Sequence, residues 1–224
     1  MENEENNILC PVCGNRITNN PEDNIFQIES IDSDFRIHTV QDDLLDDWLL
    51  MCHNCYYIDH DFSNVPDNLN KVKYYVESMD YLSNFTDNNP TTYDLFKNYM
   101  KILNIKDGSL FLLADCNLRI AWLYDDDNFP DKADEYREQS IQYFGRTLLE
   151  SKKSKKNQSL IYYYIAELSR RKGEFARAKK ALKNMNRSIN EIDELFIFQK
   201  KLIENKNSSN SKLPKGVKSY ETLS

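Results

Sequence analysis

The 224-residue chain holds only five glycines, at 14, 108, 145, 173 and 216, and no two are close together. Loops that cradle phosphate need clustered glycines, so that successive backbone N–H groups can close around the anion. The scarcity excludes nucleotide-binding folds of the Rossmann or P-loop kind, and no nucleotide cofactor is expected. Long apolar runs are also lacking, since no stretch approaches the ~18 residues of a membrane span. The first residues, MENEENNILC, are acidic and lack the basic-then-apolar order of a secretory leader, so a cytoplasmic protein is expected. Histidine is limited to His38, His53 and His60. An acid–base site would have to draw on these three. The best arrangement on offer, Asp59-His60-Asp61, reads more simply as exposed polar residues after a turn. No catalytic residue is assigned, and a non-enzyme is expected.

Apolar and aromatic residues are present in quantity, at 40% and 12% of the chain, which is ample for a packed core. The length allows one or two domains. The net charge of −7 hides an asymmetry: residues 1–65 carry 2 basic and 14 acidic side chains, whereas residues 146–187 carry 13 basic and 3 acidic. Such a contrast fits two surfaces with different partners, internal docking of one on the other, or solvated faces that merely differ in sign. The candidate basic surface comprises Lys152, Lys153, Lys155, Lys156, Arg170, Arg171, Lys172, Arg177, Lys179 and Lys180.

Four of the five cysteines fall in two pairs, Cys10-Pro-Val-Cys13 and Cys52-His-Asn-Cys55, separated by 38 residues. Each C-x-x-C turn lets two thiolates converge, and Gly14 can adopt the left-handed backbone of a tight knuckle. Two knuckles together offer a closed tetrahedral sulfur set, which suits one structural Zn2+ and leaves no open position for catalysis. Iron held by the same four thiolates is the lesser alternative. A thioredoxin-like redox pair would need a cysteine at a helix start within a βαβ unit, and neither pair has that context. His53 could compete as a ligand but reads as a surface residue. Between the pairs, Phe26/Ile28 and Phe35/Ile37 alternate as in short strands, and DDWLLMC reads as a strand entering the second knuckle. The expectation is a small β-hairpin ribbon pinned by metal.

From about residue 66 the apolar period becomes helical. Val65, Leu69, Val72, Val76 and Met79 form one stripe, and Phe96, Tyr99 and Leu103 form a second. Leu113, Asn117, Ile120, Ala121 and Tyr124 form a third, with Cys116 as a small buried filler. Pro130 opens a further helix that runs to about Arg146. After the basic stretch SKKSKKNQ, taken as a linker, Leu160, Ile161, Tyr164, Ile165 and Leu168 line one helix. Gly173 marks a turn, and Phe175, Ala178, Leu182 and Met185 line the helix that returns. Ala166 and Ala178 have counterparts 45 residues earlier in Ala121 and Ala133, so a degenerate earlier copy is expected. This is the tetratricopeptide pattern. Ile192, Leu195, Phe196 and Leu202 would cap the stack, and the polar end would be a flexible tail.

In order along the chain, CPVCG, SDF, C-x-x-C-Y followed by HDF, LRIAWLY and YYYIAELSRRKGEFARA resemble a bacterial family of uncharacterised proteins, DUF2225. The resemblance spans most of residues 10–185, and it implies a zinc-binding front and a tetratricopeptide-like helical back. The second knuckle, CHNCYY, departs by lacking a proline or glycine. The expected fold is α+β, mainly α: a four-cysteine zinc-ribbon-like domain over 1–65, a helical domain over 66–205, and a tail over 206–224. The expected partner is another protein or peptide in a helical groove. Nucleic acid bound through residues 146–187 is the alternative.

Overall fold

The computed structural model describes residues 8–17, 27–40, 45, 48–86, 90–150 and 154–214. Two compact units emerge, and neither is one continuous piece of chain. The first comprises Met1–Phe26 and Asp43–Ser109, the second Gln27–Asp42 and Leu110–Ser224. The architecture is mainly helical with small antiparallel hairpins near the N-terminus, as the sequence predicts. The units do not follow the expected division after residue 65.

The first unit holds two short hairpins, β1 (Ile8–Leu9) with β2 (Arg16–Ile17) and β5 (Leu50–Met51) with β6 (Ile58–Asp59). It also contains α1 (Leu69–Val76), α2 (Met79–Thr86) and α3 (Thr92–Ile105). The stripe expected to run from Val65 to Met79 is broken. Val72 and Val76 are buried, whereas Val65 and Met79 are exposed. The reason is Ser78, which accepts a hydrogen bond from the Tyr81 N–H and starts a second helix. Asn68 ties the start of α1 to the end of α3 by donating to the Ile105 carbonyl and to Asp107. Helix α3 starts in a capping box, with Thr91 accepting from the Asp94 N–H and Asp94 reaching back to the Thr91 N–H. Its buried face includes Phe96, Tyr99 and Leu103, as the period predicts.

The second unit begins with a hairpin of β3 (Ile28–Ile31) and β4 (Ile37–Thr39). Its helices are α4 (Leu110–Asp126), α5 (Pro130–Glu150), α6 (Lys155–Arg171), α7 (Phe175–Leu182) and α8 (Asn190–Glu204). Ser154 caps α6, so Lys155 and Lys156 open a helix instead of lying in a linker. Helix α6 is central: Leu160, Tyr163, Ala166, Leu168 and Arg170 are all buried.

Helices α4 and α5, and then α6 and α7, form consecutive hairpins whose junctions match at a spacing of 45 residues. Asn128 (φ 60°) and Gly173 (φ 75°) occupy the same left-handed position. Phe129 N–H donates to the Tyr124 carbonyl at 2.8 Å, as Glu174 N–H does to Ser169 at 2.8 Å. Both are Schellman endings, which satisfy the last carbonyls of a helix. Ala121 and Ala133, like Ala166 and Ala178, are fully buried and let the helices approach closely. The two junctions therefore share one backbone geometry at the 45-residue offset.

The C-terminal expectation also needs correction. Residues 207–213 are fastened to the β3–β4 hairpin: Leu213 N–H donates to the Ile31 carbonyl (2.8 Å) and Ser33 N–H to the Ser211 carbonyl (2.6 Å). Asp32 and Lys212 pair as an antiparallel bridge. A flexible tail over 206–224 does not describe this strap, whose backbone completes the hairpin edge. Residues 215–224 lie outside the described part.

Candidate metal centre

Each C-x-x-C pair sits in the turn of its own hairpin, and the two turns share one design at a spacing of 42 residues. Cys10 N–H donates to the Asn15 carbonyl (2.9 Å) and Gly14 N–H to the Cys10 carbonyl (2.8 Å). In the second turn, Cys52 N–H donates to Tyr57 (2.9 Å) and Tyr56 N–H to Cys52 (2.7 Å). The strand registers match as well, Leu9 facing Arg16 and Met51 facing Ile58. The left-handed position is filled by Gly14 (φ 72°) in one knuckle and Tyr56 (φ 57°) in the other. A bulky residue is strained there. Tyr56 is held in place because its ring stacks on Phe85 at 5.1 Å and its carbonyl accepts from the Tyr81 hydroxyl at 2.7 Å. The glycine missing from CHNCYY is thus replaced by packing against α2.

The strands expected within the spacer are not the scaffold of this centre. Strands β3 and β4 exist, but they belong to the second unit, and β5 covers only Leu50–Met51. The knuckles are instead buttressed within their own unit by helices. Asp59, at the end of β6, accepts from the Tyr57 hydroxyl (2.5 Å) and from the Lys106 ammonium. Burial works to raise the Asp59 carboxyl, but hydrogen bonds from His60, Lys106 and Tyr57 overcome it and hold the acid well below the usual range. His60 shares a 2.5 Å hydrogen bond with the Tyr99 hydroxyl and stacks on Trp48. The Asp59-His60-Asp61 motif is therefore an anchoring point, with Asp61 capping the turn at Ser63 and Asn64.

The four sulfurs of Cys10, Cys13, Cys52 and Cys55 all lie within 4.8 Å of one another. Cys10 and Cys55 approach to 3.7 Å, as do Cys13 and Cys52. A regular tetrahedron of thiolates around an ion at ~2.3 Å requires sulfur separations of about 3.8 Å. The set fits a metal ion in both geometry and donor chemistry. The thiols also act on one another. The hydrogen bond from Cys55 pulls the Cys10 thiol down to about 5, while donating that bond pushes Cys55 up. Burial raises Cys52. A bound dication would supply the positive charge that four thiolates together need.

The eight of the ten candidate basic residues that are described do not form one surface. Arg170 is fully buried, with Nε and Nη2 donating to both oxygens of Glu167 (3.0 and 2.7 Å). Arg171 pairs with Asp125 (2.8 Å) and reaches Asp34 (3.5 Å). Lys172 and Arg177 both hold Glu138 and Glu174. These four cations are used inside the second unit because acidic side chains of its hairpin and helices face them. Lys155, Lys179 and Lys180 are exposed and Lys156 is half-buried, while Lys152 and Lys153 lie outside the described residues.

Sequence reasoning missed a second polar centre, assembled around the SDF motif. Ser33 donates to Glu167 at 2.7 Å, and its carbonyl accepts from the Tyr163 hydroxyl at 2.7 Å. Asp34 accepts from the Trp122 indole at 2.7 Å, and burial raises its carboxyl despite Arg171 nearby. Phe35, in the left-handed region at φ 66°, packs its ring on Tyr163 and Tyr164. Gln199 also donates to Glu167. The available signal was Glu167 and Arg170 at i, i+3, following the apolar run Leu160–Ala166 of α6, where an unneutralised charge would be costly.

Four thiols placed to hold a metal ion, and consecutive helical hairpins, are the features that characterise the chain. The chain belongs to the family described as "Uncharacterized protein conserved in bacteria (DUF2225)", which matches residues 4–219. No curated protein and no solved structure matches it. Among the described residues, no helix is long and apolar enough to cross a membrane.

Proposed function

We propose that this chain is a non-catalytic cytoplasmic scaffold: one structural Zn2+ fixes the knuckles, and the tetratricopeptide-like helical unit binds another protein or peptide. The observation that carries the reading is the matched pair of helical hairpins, with their common left-handed junction and buried alanine crossings. Stacked hairpins of this kind present extended faces suited to peptides and helices. Zinc is favoured over iron because four thiolates in a closed set suit a redox-inert structural ion, and a reducing compartment keeps them available. The lack of a catalytic role is supported by the employment of the histidines: His60 joins Asp59 and Tyr99, and His38 donates to Asp32 at 2.7 Å.

The nucleic-acid alternative loses support with Arg170, Arg171, Lys172 and Arg177 engaged internally. Affinity co-purification from native cytoplasm, with and without nuclease, separates the two readings. A protein partner that survives nuclease and 200 mM salt is the expected result. Recovery that vanishes with nuclease would overturn the scaffold reading, because phosphate contacts are the salt-sensitive ones. Elemental analysis of the purified protein should give one zinc per chain.

A further inference from the structure

Among the exposed cations of residues 146–187, Lys179 and Lys183 lie together. Lys179 and Lys183, exposed on and just beyond α7, converge with exposed Lys200 of α8 around a cleft of about 130 Å³. Its floor is apolar, formed by Leu182, Phe196 and Ile203. Leu182 and Ile203 are nearly buried, so the floor is continuous with the core. The single acid on the rim, Glu204, lies 3.7 Å from Lys200, one turn along the same helix. The dipole of α7 accounts for a cation at its end. It does not account for lysines from two helices surrounding an apolar recess.

The size and chemistry of the cleft narrow its occupant. Cofactor and drug-sized ligands occupy ~300–1,000 Å³, so this recess admits a single large apolar side chain. A single-stranded nucleic acid would need exposed aromatic faces for stacking. Phe196 does not offer one, because the Arg187 guanidinium lies 4.4 Å above its ring centroid. A membrane surface would call for a broad apolar face rather than one recess. What fits is a peptide with one apolar anchor and carboxylates beside it, on the same turn or the next.

We propose that the α7–α8 cleft is a docking site for an acidic segment of a partner protein. An apolar side chain inserts between Leu182, Phe196 and Ile203, and flanking carboxylates engage Lys179, Lys183 and Lys200. The proposal rests on reading the helical unit as a protein-interaction module and names the face and the partner chemistry. Anchor burial supplies affinity, and the lysines supply orientation and selection against basic peptides.

The test uses the full-length, zinc-loaded protein, ¹⁵N-labelled, titrated with acetylated dodecapeptides of glutamate bearing one central Leu, Ile or Phe. Saturable shifts confined to residues of α7 and α8 are expected at 150 mM salt. The double variant Lys179→Glu/Lys183→Glu should weaken binding by at least about tenfold. The same variant should bind lysine-for-glutamate peptides at least about tenfold better than wild type does. Both substitutions lie at exposed positions, and unchanged circular dichroism checks the fold. Absence of saturable shifts with every acidic peptide at millimolar concentration overturns the proposal, as does binding indifferent to the charge reversal. Displacement by a dT12 oligonucleotide also overturns it. Shifts mapping to another helical face overturn this cleft but leave the scaffold reading standing, which fails only if nuclease removes every partner.

Discussion

Arg170→Met probes the centre of the second unit most directly. The wild-type guanidinium donates to both Glu167 oxygens, to the carbonyls of Asn207 and Ser209, and to the Ser33 hydroxyl. Methionine keeps most of the stem's volume and removes all five hydrogen bonds. The dominant loss is the cation that neutralises Glu167, which is itself 0% exposed. Breaking a buried pair from one side costs ~3–5 kcal/mol. Ser33 and Gln199 still donate to Glu167, so the lower end, about 3 kcal/mol, is expected. For a protein of this size that corresponds to a Tm lowered by roughly 6–12 °C. Two further readouts separate a pair effect from lost packing. Hydrogen exchange of the strap amides, such as Leu213 N–H, should accelerate because the carbonyls at 207 and 209 lose their clamp. Glu167→Leu/Arg170→Met should be less destabilised than Arg170→Met alone, because no orphan charge remains. A single variant that loses under about 1 kcal/mol in urea unfolding and keeps strap protection would refute the clamp.

Other outcomes are equally specific. Cys10→Ser and Cys55→Ser should each abolish stoichiometric zinc by elemental analysis, since three thiolates cannot close the tetrahedron; retained stoichiometric metal in either would sink the ligand assignment. Gly173→Val should lower stability by about 1–2 kcal/mol through left-handed strain alone, because a Cβ there meets nothing within 4 Å; an unchanged Tm would show that this junction does not constrain the fold. Glu138 carries an acid-side contribution. Burial works to raise its carboxyl, but hydrogen bonds from Arg177 and Lys172 bring it down to about 2. Its folded value lies below the unfolded one, so its stabilisation is full above about pH 4.5 and disappears as pH falls toward 2. The stability gap between wild type and Glu138→Gln should close over that window, and a gap constant from pH 6 to 2.5 would refute the ion pairs.

What could be read from the sequence follows from which signals are local. Thiol spacing is local, and it located the four cysteines that lie together. Helical period is local, and it located the faces of α3, α4 and α6 and the 45-residue correspondence. The partner of a buried charge is not local. Arg170 was grouped with lysines as surface because nothing in its own helix reveals that Ser33 and the strap approach from 137 and 37 residues away. The hairpin between the knuckles was assigned to the metal ribbon on proximity in sequence, yet its Phe35 packs on Tyr163 and Tyr164. Turn chemistry misled in the opposite direction. Helices α3, α4 and α8 end at Asp107, Asn128 and Lys206, all with positive φ, so searching for glycine alone finds only the end of α6.

The order in which the chain leaves the ribosome gives the β3–β4 hairpin a particular predicament. Its residues, 27–42, are made early, but Trp122, Glu167, Arg170 and the strap at 207–213 are among the last two-thirds of the chain to appear. Until then the Ser33-Asp34-Phe35 tip has neither its buried partners nor its edge strand. Nascent chains stalled before residue 207 should therefore be cut at this hairpin by a protease that spares it in the finished protein.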